Sequence, residues 1–107
     1  MIVVMNRIPV HKEHHEAFEA RFLNRAGLVD KSPGFIRNVI LRPSEETSEY
    51  HVVMTFWESQ EHFMAWTKSE AFREAHKNAG STPEIYKGPN VFEMYEAVSE
   101  TVPAQSE

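Results

Sequence analysis

The first ten residues, MIVVMNRIPV, carry apolar side chains at even and odd positions alike. In an extended chain successive side chains point to opposite faces. Ile2, Val4, Asn6, Ile8 and Val10 therefore share one face, and Val3, Met5, Arg7 and Pro9 the other. The later run YHVVMTFW repeats the pattern, with Tyr50, Val52, Met54 and Phe56 on one side and Val53 and Trp57 among the other set. A sheet built from such strands needs cover on both faces, and one layer of helices supplies only one.

The rest of the chain gives the order of elements. In HKEHHEAFEARFLNRAG, Ala17, Phe18, Phe22 and Ala26 recur at helical spacing, and Gly27 is a plausible stop. KSPG marks a loop before the strand FIRNVILRP, and SEETSE is a polar hairpin connection to YHVVMTFW. Ser59 is an N-cap candidate for QEHFMAW, with His62 where a capping box would have Glu. Ser69 is a second cap, for EAFREAHKNAG; the loop STPEIYKGPN and the strand VFEMYEAV follow. The order β-α-β-β-α-β predicts an α+β, ferredoxin-like antiparallel sheet with helices on one face. The domain is read as residues 1–98, with a polar tail at 99–107. The second apolar face predicts a homodimer packed sheet to sheet, closing a dimeric α/β barrel. The alternative is a monomer that tolerates an apolar sheet surface.

Composition removes several function classes. A chain of 107 residues suits one domain, and 41% hydrophobic against 25% charged residues is a globular balance. A net charge of -5 argues against non-specific nucleic-acid or anionic-membrane binding, which needs clustered Lys and Arg. With no cysteine there is no disulfide, thiolate metal site or Cys nucleophile. The N-terminus lacks a signal-peptide layout, and no apolar run approaches the roughly 20 residues that cross a bilayer. A cytoplasmic location is the expectation.

Three residues stand out against this background. Asn6 is an amide among Ile2, Val4, Ile8 and Val10, where an unpartnered polar group costs about 1–3 kcal/mol. Trp66 follows Phe63 by three positions and shares its helical face. His76 follows Phe72 by one turn, at the edge of an apolar stripe. Taken singly, each has a packing explanation: a structural Asn, a core Trp, a boundary His. One His cannot hold a free metal ion, since such sites take three or four protein ligands. It suits a metal whose equatorial positions are already filled, of which haem iron is the usual case. HKEHHE, with His11 and His15 four apart, is read as a solvated polar face, and His51 and His62 belong to no recognisable set. Trp57 is read as packing.

These residues converge on a family. With NR on the first strand, RF.NR.G ending the first helix, GF opening the second strand and F..W..S..F..AHK across the later helices, the chain resembles the small bacterial haem-degrading monooxygenases of the iron-regulated surface determinant G type. That type lies within the antibiotic-biosynthesis monooxygenase superfamily. The likeness runs from the first strand to Val98, and the Trp and His spacing is its most specific part. The loop AGSTPEIYKGPN departs from the family pattern and is a candidate cover for the pocket.

The resemblance implies the ferredoxin-like fold, a homodimer, and one haem per subunit between sheet and helices. It implies His76 as the iron ligand, Asn6 as the distal hydrogen-bond donor to O2, and Trp66 as the group that forces the porphyrin out of plane. Haem would be substrate and cofactor at once, with O2, an external electron donor such as a reductase, and release of iron. Phe22, Phe18, Ile8, Val4 and Phe72 are wall candidates by their faces, and Arg21 and Arg25 could meet the propionates. Two other functions fit the same pattern: a cofactor-independent monooxygenase of aromatic polyketides or quinols, and a non-enzymatic haem carrier.

Overall fold

The computed structural model describes residues 1–24, 28–76 and 83–104. Four strands form one antiparallel sheet: β1 (Ile2–Ile8), β2 (Phe35–Leu41), β3 (His51–Trp57) and β4 (Val91–Glu96). Their spatial order is β2-β3-β1-β4, so the two strands with apolar residues on both faces are the inner pair. Among the described residues three α-helices accompany them: α1 (His15–Asn24), α2 (Gln60–Thr67) and α3 (Glu70–His76). The expected β-α-β-β-α-β order is present, with the second helical region broken in two.

Local chemistry explains the ends of these elements. β1 stops at Ile8 because Pro9 has no N–H for the ladder, although Val10 still bridges Tyr86. The SEETSE turn closes the β2–β3 hairpin with Ser48 N–H donating to Ser44 O at 2.8 Å. Ser59 caps α2, accepting from His62 N–H at 3.2 Å, and Ser69 accepts from Phe72 N–H at 3.1 Å. Ser69 also donates to Trp66 O, so one serine ends α2 and begins α3. Gly34 has φ +80°, and a Cβ there would lie 2.2 Å from the His62 ring, so only glycine suits the turn. Gly27 lies outside the described residues.

The pairing register sorts the two faces. Ile2, Val4, Asn6 and Ile8 stand opposite Trp57, Thr55, Val53 and His51 of β3. This face carries the core, in two clusters. Val4, Trp57, Phe63 and Trp66 form one; Ile8, Val10, Phe18 and Ile85 form the other. Trp57 is fully buried, with Phe35 and Phe63 edge-on at 5.5 and 5.8 Å. A buried indole of that kind removes roughly 150–250 Å² from water, about 4–6 kcal/mol before entropy is counted. Val4, Ile8 and Phe18, expected as pocket walls, are instead these core residues, because the side chains they meet leave no space for a ligand.

The opposite face holds Val3, Met5 and Arg7 against Phe56, Met54 and Val52, with Val91, Glu93 and Tyr95 from β4. No helix covers it. Arg7 Nε donates to Glu93 at 2.6 Å, and Tyr95 OH donates to the same carboxylate at 2.9 Å. Val91 and Tyr95 remain exposed, as does Leu41 on β2.

One buried polar pair was not visible in the sequence. His51 is fully buried, and its Nε2 lies 2.7 Å from Glu19 Oε2 on α1. Arg42 donates to the same carboxylate from Nε at 2.8 Å. These bonds, with Arg42 the largest influence, hold the Glu19 carboxyl down at about 2. The HKEHHE segment is also not wholly a solvated face: the His15 ring meets His51 edge-on at 4.5 Å, and its Nε2 reaches Val10 O at 3.3 Å.

Candidate functional site

The sheet and helices flank a half-open cavity of about 900 Å³. Asn6, Asn38, Val53, Thr55 and Phe92 line it from the sheet. Phe22 of α1, Phe63, Trp66 and Thr67 of α2, and Phe72, Ala75 and His76 of α3 line it from the helices. Leu28, Val29 and Asp30 contribute from the connection before β2. Its volume is at the upper end of the ~300–1,000 Å³ usual for small-molecule sites, and its walls are mainly aromatic and aliphatic.

Asn6, Trp66, His76 and Phe22 all face this one space. Asn6 is half-buried, opposite Val53 on one side and Phe92 on the other, so its amide is a polar point on an apolar floor. Its Oδ1 accepts from Asn90 Nδ2 at 2.8 Å. Trp66 is 8% exposed; it stacks on Trp57 at 6.3 Å and meets Phe72 edge-on at 5.4 Å. It is therefore a core residue and a cavity wall at once. His76 is exposed, and its ring stacks on Phe72 at 4.1 Å. Its Nδ1 donates to the Phe72 carbonyl at 2.8 Å, which leaves the Nε2 lone pair of the neutral ring free for a metal.

Two arginines were candidates to meet an anionic group at the cavity. Arg25 lies outside the described residues. Arg21 turns to Tyr86, whose hydroxyl it reaches at 3.5 Å, and does not line the cavity. Of the loop before β4, residues 77–82 lie outside the described set. The described remainder is pinned to the end of β1, with His11 N–H donating to Ile85 O and Lys87 N–H to Pro9 O, both at 2.9 Å. Among the described residues no group of three or more His, Cys, Asp or Glu is placed to hold a metal ion, so a metal here would have to arrive with its other ligands.

Among the polar residues that line the cavity from the sheet, sequence reasoning missed Arg37, Asn38 and Thr55. Thr55 accepts from Trp57 Nε1–H at 3.0 Å, which leaves its hydroxyl proton free to donate. Strand alternation with Trp57 could have found it. Asn38 is opposite Thr55, but a register shift between Phe35 and Arg37 breaks the alternation that would have assigned its face.

A sequence profile of the antibiotic biosynthesis monooxygenase family matches residues 1–78. The chain belongs to this family. It is 33% identical over 97 residues to a haem-degrading monooxygenase of Shouchella clausii, covering 90% of this chain and 89% of that one. It is 39% identical over 83 residues to the staphylobilin-producing haem oxygenase of Staphylococcus haemolyticus, covering 77% and 79%. The fold matches the haem degrader MhuD of Mycobacterium tuberculosis, solved with two haems in its active site. That match has a TM-score of 0.80 and 33% identity, and covers 95% of this chain and all of that one.

Proposed function

We propose that this protein is a haem-degrading monooxygenase of the iron-regulated surface determinant G type, which opens the porphyrin ring with O2 and an external reductant and releases the iron. The observation that carries this reading is the convergence of Asn6, Trp66 and His76 on one cavity of about 900 Å³. Relatives named for haem degradation support it.

The residues present fit the ligand. The cavity offers aromatic walls for a flat apolar macrocycle. His76 offers one imidazole nitrogen with its tautomer set by the Phe72 carbonyl, a donor suited to haem iron. Bound haem supplies the redox-active iron and the carbon skeleton that is oxidised. The chain supplies the rest. His76 would hold the iron through Nε2. Asn6 presents an amide from the sheet, a hydrogen-bond donor that is not an acid, so it steadies the oxygen co-substrate without delivering a proton to it. Trp66 is braced from behind by Trp57, so its indole yields little when a macrocycle presses on it.

A second copy of the chain covers the free sheet face, where Val3, Met5, Val52, Met54 and Phe56 present an apolar surface around the Arg7–Glu93 pair. A location in the cytoplasm accords with the absence of cysteine. Among the described residues no helix is long and apolar enough to cross a membrane.

The test is direct. Haemin is added to the purified protein, then ascorbate or a reductase in air, and the tetrapyrrole is identified by mass spectrometry. A Soret band that forms and then bleaches to an opened ring supports the assignment; one that never bleaches under reductant overturns it. Quantitative transfer of intact haem to apomyoglobin would instead mark a carrier.

A further inference from the structure

The amide of Asn6 has a donor end and an acceptor end, and the role given to it requires the donor end in the cavity. We propose that Asn90 is the positioning residue that makes this choice: by binding Asn6 Oδ1 it leaves the Nδ2 hydrogens as what Asn6 shows to the ligand. The inference rests on the reading of Asn6 given above.

The contact is specific. Asn90 Nδ2 lies 2.8 Å from Asn6 Oδ1, between residues 84 positions apart. The register brings them together. Asn6 stands opposite Phe92, so Asn90, two positions earlier, is its diagonal neighbour on the same face of the sheet. The segment that carries Asn90 is fixed at both ends over β1, by the Tyr86–Val10 bridge and by the Val91–Arg7 pair. Asn90 does not itself line the cavity, so it reaches a ligand only through Asn6.

Chemistry makes the choice necessary. The two ends of a side-chain amide are nearly equal in size, so packing does not tell them apart and hydrogen bonding does. One such bond favours its orientation by about two- to tenfold in solvent. Asn90 is the one described partner of the Asn6 side chain and is the donor of their bond, so the bonded orientation is the one that turns Asn6 Nδ2 away from residue 90.

The substitution that tests this is Asn90→Asp, which keeps the size and removes the donor. A carboxylate only accepts, so Asn6 must turn its NH2 toward residue 90 and its Oδ1 toward the cavity. Two measurements read the turn. In the haem-free protein, nitrogen-15 spectra show the downfield, hydrogen-bonded side-chain proton on Asn90 in the wild type and on Asn6 in N90D. In the ferrous haem complex with carbon monoxide as probe, N90D raises the C–O stretch at least to the value of Asn6→Ala, because an acceptor oxygen has replaced the donor. The N6A/N90D double variant, which carries the same added charge but has no amide to turn, does not exceed N90D. A wild-type spectrum in which Asn6 is the donor overturns the proposal, and so does an N90D stretch equal to the wild type. If haem fails to bind, the assigned function falls, while the haem-free spectrum still decides the role of Asn90.

Discussion

His76 donates from Nδ1 to the carbonyl oxygen of Phe72, 2.8 Å away and one turn back on the same helix. An imidazole held this way cannot offer Nδ1 to a metal and must use Nε2. The same bond, with the Phe72 ring stacked alongside at 4.1 Å, restrains the ring before any ligand arrives.

From this follows the first prediction. His76→Ala lowers haem affinity by at least about tenfold and moves the Soret band, because iron loses its protein ligand. Stability changes by less than about 0.5 kcal/mol, since the side chain is exposed. Haemin titration and urea unfolding of the same sample check both halves. An unchanged Soret band in H76A would remove the histidine from the iron, and an H76A protein that oxidises a quinol at the wild-type rate would favour a cofactor-independent oxygenase.

Glu19 gives a pH prediction. Its folded carboxyl is held at about 2, against an ordinary value of 4.5, by Arg42 first and then by His51. A depressed carboxylate contributes stability that is fully present above its unfolded value. That contribution is lost as the pH falls from about 4.5 toward about 2. Arg42 is 63% exposed, so solvent screens the pair, and about 1–2 kcal/mol is the reasonable contribution. Glu19→Gln therefore lowers stability by that amount at pH 7 and flattens the acid limb of the unfolding curve. Urea midpoints measured from pH 7 down to pH 3 decide it; an acid limb identical to that of the wild type would rule the pair out as its source.

The fold was legible where local signals agree with the tertiary outcome. The faces of β1, the caps Ser59 and Ser69, and the turn at Gly34 follow from side-chain alternation, a hydroxyl in the right place, and a backbone angle only glycine adopts easily. Asn6, Trp66 and His76 could be singled out because each interrupts or crowns an apolar pattern. What stayed hidden depends on long-range geometry. Glu19 and His51 are 32 residues apart and recognise each other only once α1 lies on the sheet. Asn38 was obscured by a local shift in register, which no periodicity reports. Val4, Ile8 and Phe18 share a face with Asn6 or point into the same layer. The pattern cannot say which apolar residues are covered by a helix and which by a ligand.

The uncovered sheet face yields a prediction about assembly. Met5 and Met54 are cross-strand partners at its centre. If a second copy packs there, Met54→Glu buries an unpaired carboxylate twice in each dimer and shifts the protein to monomer, while the monomer stays folded because the face is then wet. Sedimentation velocity at micromolar concentration separates the two states. A wild-type chain that sediments as a monomer ends the dimer assignment outright.

Trp66 is where stability and function must be separated by design. Its indole is 8% exposed and stacks on the fully buried Trp57, so Trp66→Ala opens a hole in the core and costs about 3–5 kcal/mol. For a domain whose total stability is about 5–15 kcal/mol, that loss alone can abolish activity and proves nothing about catalysis. Trp66→Phe is the informative change. A phenyl ring keeps the contacts to Trp57 and Phe72 in part, at a cost of about 1–2 kcal/mol, and withdraws the outer ring of the indole from the cavity wall. In W66F the Soret band persists, because His76 is untouched. Bleaching under reductant slows by about tenfold or more, because the wall no longer presses on the macrocycle; that is about 1.4 kcal/mol of barrier. Resonance Raman marker bands of the porphyrin move toward those of a planar ring. If folded W66F bleaches at the wild-type rate with wild-type Raman bands, the indole serves the core alone.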